Sequence, residues 1–388
     1  MTASIVGWSH LPFGKYDNLS VEEMIVDVAT SAIADAGLEP KDIDQVFLGH
    51  YNGGFVDQDF SSSLVFEAHP DFRFKPATRV ENACATGSAA IHQGINVIEA
   101  KKAKRVLVVG VEKMSERSGK EVGDILIRAA YLKEEGDIKG GFAGVFGKIA
   151  ELYFQRHGNQ ADALAQIAAK NHKNGCRNPF AQMRKDLGYD FCRNESEKNP
   201  IVAGPLKRTD CSLVSDGAAA IVLADADTAK ASEKAVAFRA AVQVNDFLPL
   251  SKRDIIDFEG PAVAWQRAFK EAGMSLDDLD LAETHDCFTV AELIQYEAMG
   301  LTDKGQGATA LKEGWVYREG KLPINVSGGL KAKGHPIGAT GVSMHVLTAM
   351  QLTGTAGDMQ VKDAKAAGVF NMGGAAVANF VSILEPQR

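Results

Sequence analysis

Apolar positions recur along the chain in two alternating rhythms, short uninterrupted runs and stretches spaced at three and four residues, and their order predicts an α/β fold. Residues 3–8 read as a strand. Residues 20–36 carry apolar side chains at helical spacing behind Ser20, a residue type that caps helices, and the pattern stops at Gly37. A strand over 45–48 follows, then a glycine-containing loop and a helix of small residues running to about residue 100. The next strand, 105–110, is so uniformly apolar that both of its faces must be covered, as in a parallel-type sheet.

The same order returns after residue 232, which predicts an internal duplication. A helix over 261–273 leads into 275–280, which matches 37–44 in position and character, and each segment precedes a short strand. The helix start Ala85-Thr86-Gly87-Ser88 has an echo in Ala339-Thr340-Gly341-Val342. Ser215-Asp216-Gly217-Ala218 resembles Met372-Gly373-Gly374-Ala375 as a glycine turn feeding a buried strand. Two similar halves packed against each other are therefore expected: 1–118 with 206–231, and 232–388. The 388 residues exceed what one hydrophobic core usually supports, in agreement with that division. Residues 119–205 read as an insertion in the first half, with a helix over 161–170 and a polar loop over 171–179. Long connections of this kind commonly cover a substrate site.

Hydrophobic residues at 45% and charged residues at 24% describe a globular protein, which excludes a disordered tail or fibre. The net charge of −8, from 42 basic and 50 acidic residues spread along the chain, argues against nucleic acid as a partner. Residues 1–7 lack the basic and apolar regions of a signal peptide, and no segment has the length and apolarity of a membrane span. Glu385-Pro386-Gln387-Arg388 is not a peroxisomal address, so a cytoplasmic location is expected. Five cysteines without regular spacing predict free thiols in a reducing compartment and no metal site.

Four motifs carry candidate chemistry. Cys84 in Glu81-Asn82-Ala83-Cys84-Ala85-Thr86-Gly87 sits where a loop yields to a helix, so the helix dipole is expected to lower its pKa and make it a nucleophile. An isolated cysteine is more often plain packing. Gly334-His335-Pro336 fixes a loop around one histidine directly before the echoing helix. If the halves pair about a twofold axis, His335 and Cys84 come within hydrogen-bond reach; the alternative is a histidine that caps the helix. His285-Asp286-Cys287-Phe288 lies at a strand end, where α/β folds place reactive groups, and offers a second thiol and imidazole; its alternative is inward packing. Asn371-Met372-Gly373-Gly374, a turn after a strand over 367–370, has glycines that let backbone N–H groups approach a ligand, or is simply a tight turn. Gly147-Lys148 suggests a phosphate loop, but Phe142 and Ile149 break that pattern. Cys176, Cys192 and Cys211 read as structural, and His92 and His345 as packing groups in the echoing helices.

Taken in order, the four motifs resemble the active-site motifs of thiolases, and the resemblance runs over nearly the whole chain from Ile5-Val6-Gly7-Trp8 onward. It implies the thiolase fold, two duplicated α/β halves packed as a layered αβαβα body with an inserted loop domain. It also implies that Cys84 is acylated, that His335 activates it and helps hold the substrate thioester oxygen, and that the N–H groups of Cys84 and Gly373 cradle the acyl oxygen. The chain departs from the best-known thiolases in carrying Asn371 where they have a second catalytic cysteine, and His285 where they have an asparagine. That combination is similar to the sterol-carrier-protein type of thiolase, which makes Cys287 the proton shuttle and His285 an oxyanion donor. The implied activity is CoA-dependent cleavage of a 3-oxoacyl-CoA to acyl-CoA and acetyl-CoA, or the reverse Claisen condensation, within fatty acid and lipid metabolism. Coenzyme A is then a co-substrate and no cofactor is bound permanently. The resemblance further implies a homodimer or homotetramer, and some relatives associate with a small OB-fold partner protein. Two other readings stay open: another condensing enzyme of this fold, which has no need of Cys287, and a non-catalytic acyl-CoA-binding subunit, which has no need of the set.

Overall fold

Strand order within the central sheet places the halves. The computed structural model describes residues 3–387; Met1, Thr2 and Arg388, on which the terminal readings partly rest, lie outside the described residues. The strands are β1 (Ala3–His10), β2 (Gln45–Gly49), β3 (Ala77–Val80), β4 (Arg105–Lys113), β5 (Ile201–Ala203), β6 (Leu206–Lys207), β7 (Asp216–Asp225), β8 (Val236–Asn245), β9 (Leu281–Glu283), β10 (Ala367–Gly373) and β11 (Ala378–Pro386). Nine of them form one sheet in the order β3-β2-β4-β7-β1-β8-β11-β10-β9, and β5 pairs with β6 in a separate ribbon. Outward from the junction of β1 with β8, one side runs β1, β7, β4, β2, β3 and the other runs β8, β11, β10, β9. On both sides the inner pairs are antiparallel and the next pair outward, β2–β4 or β10–β9, is parallel; β3 adds a further parallel strand beyond β2. The duplication read from the sequence is thus an approximate twofold arrangement about the antiparallel contact of Ser4 with Ala237 and Ile5 with Val236. Even the loops correspond. Asp44 accepts hydrogen bonds from the N–H groups of Lys104 and Arg105, and Asp280 does the same for Lys365 and Ala366.

The helix Val21–Asp35 starts at Ser20, whose hydroxyl accepts from the Glu23 N–H while the Glu23 carboxylate accepts from the Ser20 N–H. It covers β1, β4 and β7 from outside, and Glu259–Ala272 covers β8 and β11 in the other half. Between the halves lie Thr86–Glu99 and Ile337–Leu352, packed on each other. The second is buried at every position but one, as a helix enclosed on all sides must be. The small-residue echo has its cause here: a Cβ on Gly341 would stand 2.2 Å from the Ser88 nitrogen, and one on Gly87 would stand 2.7 Å from the Val342 nitrogen. Only glycine lets the two backbones come so close, and this approach brings both helix N-termini to one place. Among the described residues no helix is long and apolar enough to cross a membrane.

Between β4 and β7 the chain forms the helices Gly119–Leu126, Gly141–His157, Ala161–Gly175 and Gly188–Arg193. The polar stretch from 171 is not a loop at its start, because the helix runs on to Gly175. Its polar residues are buried against polar partners: Lys170 Nζ lies 2.7 Å from Glu292 Oε1, and Asn171 Nδ2 donates to Asp286 Oδ2 at 2.7 Å and Glu292 Oε2 at 2.6 Å. Likewise β10 extends to Gly373, so Asn371 and Met372 are strand residues and the turn begins after them.

Candidate active site

Each motif reaches the site from a different element. Cys84 stands two residues before the helix Thr86–Glu99, in a turn where Ala83 takes φ of 49°. The Thr86 hydroxyl ties that turn, donating to the Ala83 carbonyl at 2.7 Å and accepting from the Asn82 N–H at 2.8 Å. From the other half, Asn371 Nδ2 on β10 donates to the Cys84 carbonyl at 3.1 Å. His335 precedes the second central helix; its N–H donates to Ser215 Oγ at 3.0 Å and its Nδ1 lies 2.7 Å from Thr340 Oγ1. His285 and Cys287 follow β9. Asp286, between them, accepts from the N–H groups of Leu330 at 2.6 Å and Lys331 at 3.3 Å, which fastens the loop that leads to His335. That loop requires Gly329, with φ of 56°, since a Cβ there would lie 2.3 Å from Asp286 Oδ2.

The motifs converge. Cys84 Sγ and one ring nitrogen each from His285 and His335 lie within 4.8 Å of one another. The two imidazole centroids are 5.0 Å apart and nearly perpendicular. Cys84, Cys287 and His335 line one cavity of about 320 Å³, whose remaining walls are mainly apolar, including Val122, Leu126 and Phe142 from the inserted helices. His285 does not line the cavity but stands fully buried behind it. Phe288 stacks on Phe146 at 4.5 Å and also lines this cavity, so its packing forms part of the wall. Cys211, read from sequence as structural, lines the same cavity, a placement that no local pattern announces. A larger groove of about 770 Å³, near Gly37 and Lys234, is rimmed by charged residues and holds no thiol or imidazole. His92 packs edge-on to Phe380, and His345 is hydrogen-bonded to the Gly341 carbonyl and Ser382, both away from the cavity lining.

The expected acidity of Cys84 needs correcting. Burial pushes its thiol up to about 12, and the carboxylates of Glu112 and Glu81 add to the rise. Hydrogen bonds from the N–H groups of Gly374 and of Cys84 itself oppose it without prevailing; the glycine facing the sulfur is Gly374, one residue beyond Gly373. Burial likewise raises Cys287 well above the usual thiol range, helped by Cys84 and Asp286. His335 is lowered to about 3 by burial and by the Lys333 ammonium, and His285 falls well below its usual value through burial, His335 and Lys333. At neutral pH the site therefore rests as two thiols and two neutral imidazoles. A thiol whose pKa is raised stays protonated until the pH approaches that value. Iodoacetamide labelling of Cys84 in the free protein should accordingly rise about tenfold per pH unit from 7 to 10, read by mass spectrometry; a plateau below pH 8 would reveal a resting thiolate. One sulfur and two imidazoles are also a donor set that zinc accepts.

Comparison with known proteins shows the family and the fold. The thiolase N-terminal domain family matches residues 3–227, and the thiolase C-terminal domain-like family matches residues 243–386. An acetyl-CoA acetyltransferase of Methanothermobacter thermautotrophicus is 34% identical over 376 residues, 96% of either chain. Human sterol carrier protein 2 is 32% identical over 375 residues, covering 93% of this chain and 67% of that one. Among solved structures, the Ltp2-ChsH2(DUF35) aldolase superposes with a TM-score of 0.84 at 20% identity, covering 100% of this chain and 98% of that one. Human mitochondrial 3-ketoacyl-CoA thiolase in complex with CoA superposes with a TM-score of 0.76 at 18% identity, covering 100% and 98%. At these identities the two structures speak for the fold.

Proposed function

The chain belongs to the thiolase family, and from that premise we propose that it cleaves 3-oxoacyl-CoA to acyl-CoA and acetyl-CoA, or runs the reverse condensation, through a thioester on Cys84. The observation that carries this reading is the meeting of two thiols and one lining imidazole, drawn from both halves, in one largely apolar cavity. His335 takes the Cys84 proton as the sulfur attacks the 3-oxo carbon. The bond between C2 and C3 breaks, its electron pair passes into the acetyl-CoA enolate, and Cys287 gives C2 a proton. Incoming CoA returns a proton to Cys287 and attacks the acyl thioester, and Cys84 leaves and recovers its proton from His335. Negative charge gathers on a thioester oxygen in the first stage, for which His335 and His285 are the donors, and on the acyl oxygen, for which the backbone N–H groups of Cys84 and the Gly373–Gly374 turn are suited.

Cys287 separates this reading from a one-way condensing enzyme that decarboxylates its donor, because such a reaction generates its carbanion without a thiol base. Asn371 in place of a second catalytic cysteine supports the sterol-carrier-protein type. Coenzyme A acts as co-substrate with no permanently bound cofactor, and the setting is cytoplasmic acyl-CoA and lipid metabolism. A homodimer is favoured by the free edge of β3 and by the exposed Phe60 and Phe74 on the chain leading into it. A small partner of the kind named in the Ltp2-ChsH2(DUF35) aldolase fits the same family context. The deciding measurement is CoA-dependent loss of the acetoacetyl-CoA enolate absorbance, extended across 3-oxoacyl-CoA esters of increasing length. Turnover is expected within the usual range of about 1–10³ s⁻¹ on at least one ester, and a protein inert to all of them would refute the proposal.

A further inference from the structure

The proposed chemistry asks opposite things of two imidazoles: His335 must accept a proton at Nε2, whereas His285 must donate one. We infer that Asn371 and Thr340 impose these opposite tautomers, Asn371 being the positioning residue that keeps the proton on His285 Nε2. The inference rests on the thiolase reading for its purpose, though not for its geometry.

Asn371 is fully buried on β10 and has three polar neighbours. Its Oδ1 accepts from the Ser88 hydroxyl at 2.8 Å, and its Nδ2 lies 3.1 Å from the Cys84 carbonyl oxygen and 2.8 Å from His285 Nδ1. A carbonyl oxygen only accepts, so the amide atom facing Cys84 must be the nitrogen; the flipped amide would set two oxygens against each other. Ser88 suits either orientation and does not decide the matter. With the amide fixed, its nitrogen donates to His285 Nδ1, which must then carry a lone pair. A ring with a lone pair on Nδ1 is a neutral imidazole, since the imidazolium carries a proton on both nitrogens. Its single ring proton is therefore on Nε2, an atom with no hydrogen-bond partner among the described residues.

Thr340 produces the reverse. Its hydroxyl donates to the Pro336 carbonyl at 3.0 Å, the usual bond of a helical threonine to the preceding turn, and so offers a lone pair to His335 Nδ1 at 2.7 Å. Nδ1 is the protonated nitrogen of His335, and its Nε2, likewise without a hydrogen-bond partner among the described residues, is free to accept. A residue standing where other thiolases carry an acid/base thiol here orients a donor. It also keeps His285 from serving as a metal ligand, since one ring nitrogen is bonded to the amide and the other is protonated.

The test uses the full-length protein labelled with [15N]histidine, its ring signals assigned by their disappearance in His285→Gln and His335→Gln. At pH 7 the expected nitrogen spectrum shows His285 protonated on Nε2 and His335 protonated on Nδ1; the same tautomer in both, or the reverse pair, overturns the inference. Asn371→Asp replaces the donor by a carboxylate that only accepts and should move the His285 proton to Nδ1. In that variant kcat for thiolysis should fall about 10²-fold or more, and zinc should inhibit at about tenfold lower concentration. Lost activity with an unmoved tautomer and unmoved zinc inhibition would reduce Asn371 to a structural role. Should that variant not fold, the wild-type spectrum still decides. A protein with the expected tautomers that cleaves no 3-oxoacyl-CoA would refute the proposed function and leave the tautomers standing.

Discussion

Cys84→Ala is expected to lose thiolysis and condensation together, with kcat falling on the order of 10⁴–10⁶-fold, as when the nucleophile is removed from other covalent catalysts. The change should cost little stability. The turn is held by Thr86 and Asn371 through backbone atoms that alanine retains, and the hydrogen bonds to the sulfur come from backbone N–H groups, Gly374's and its own. A folded but inactive protein is the expected outcome, with circular dichroism and thermal melting close to wild type. Intact mass spectrometry after incubation with acetoacetyl-CoA should show an acetyl adduct on the wild type and none on the variant. Cys211 and Cys287 line the same cavity and provide a stringent control. An adduct on either, accompanied by residual turnover, would show that the nucleophile had been misassigned.

Much of this arrangement was legible along the chain because it is written in backbone requirements. The glycines at 87 and 341 mark the helix crossing, Gly329 and Gly334 mark the loop before His335, and the repeat of 37–44 in 275–280 marks equivalent strands. Such features demand a residue type whatever lies around them. The rest depends on neighbours that sequence does not order in space. By sequence the helix past Lys170 reads as a loop because Asn171, His172 and Asn174 are polar, yet all three are buried, and Asn171 and Asn174 bond to the other half. Its place at a helix start predicts an acidic thiol for Cys84. Two backbone donors oppose its rise, but burial beside Glu112 outweighs them, a balance set by depth and not by local geometry. Cys211 carries no motif at all, and its place in the cavity follows from the isolated bridge that pairs it with Phe288.

This balance bears on how the chemistry proceeds. A resting site of neutral groups costs little to bury, whereas an ion pair of thiolate and imidazolium in the same apolar surroundings would need compensation. Lys333, fully buried with Nζ 3.0 Å from Ser343 Oγ, disfavours the imidazolium further. Charge is therefore expected to develop only as the substrate oxygen arrives to share it, which confines thiolate reactivity to the productive complex.

The same burial gives Cys287 its proton. A thiol held well above the usual range is fully protonated at neutral pH, so it can donate to the enolate carbon; once ionised beside Asp286 and Cys84, it is a strong base toward C2 of acetyl-CoA or toward the CoA thiol. Acyl transfer from a thioester to Cys84 makes a weaker demand, because the departing CoA thiolate leaves without prior protonation. Cys287→Ala should thus divide the reaction. The acetyl adduct on Cys84 should still form from acetyl-CoA, while kcat for acetoacetyl-CoA cleavage and the exchange of acetyl-CoA methyl protons with deuterium oxide both fall about 10²–10⁴-fold. Alanine fits the space of the thiol with the loss of one sulfur atom, and the Cys287 carbonyl keeps its bond from the Ser212 N–H at 2.9 Å, so the motif remains in place. Wild-type rates of deuterium exchange in this variant would move the proton to another group, and His285, with its nitrogen near Cys84, would be the next to replace.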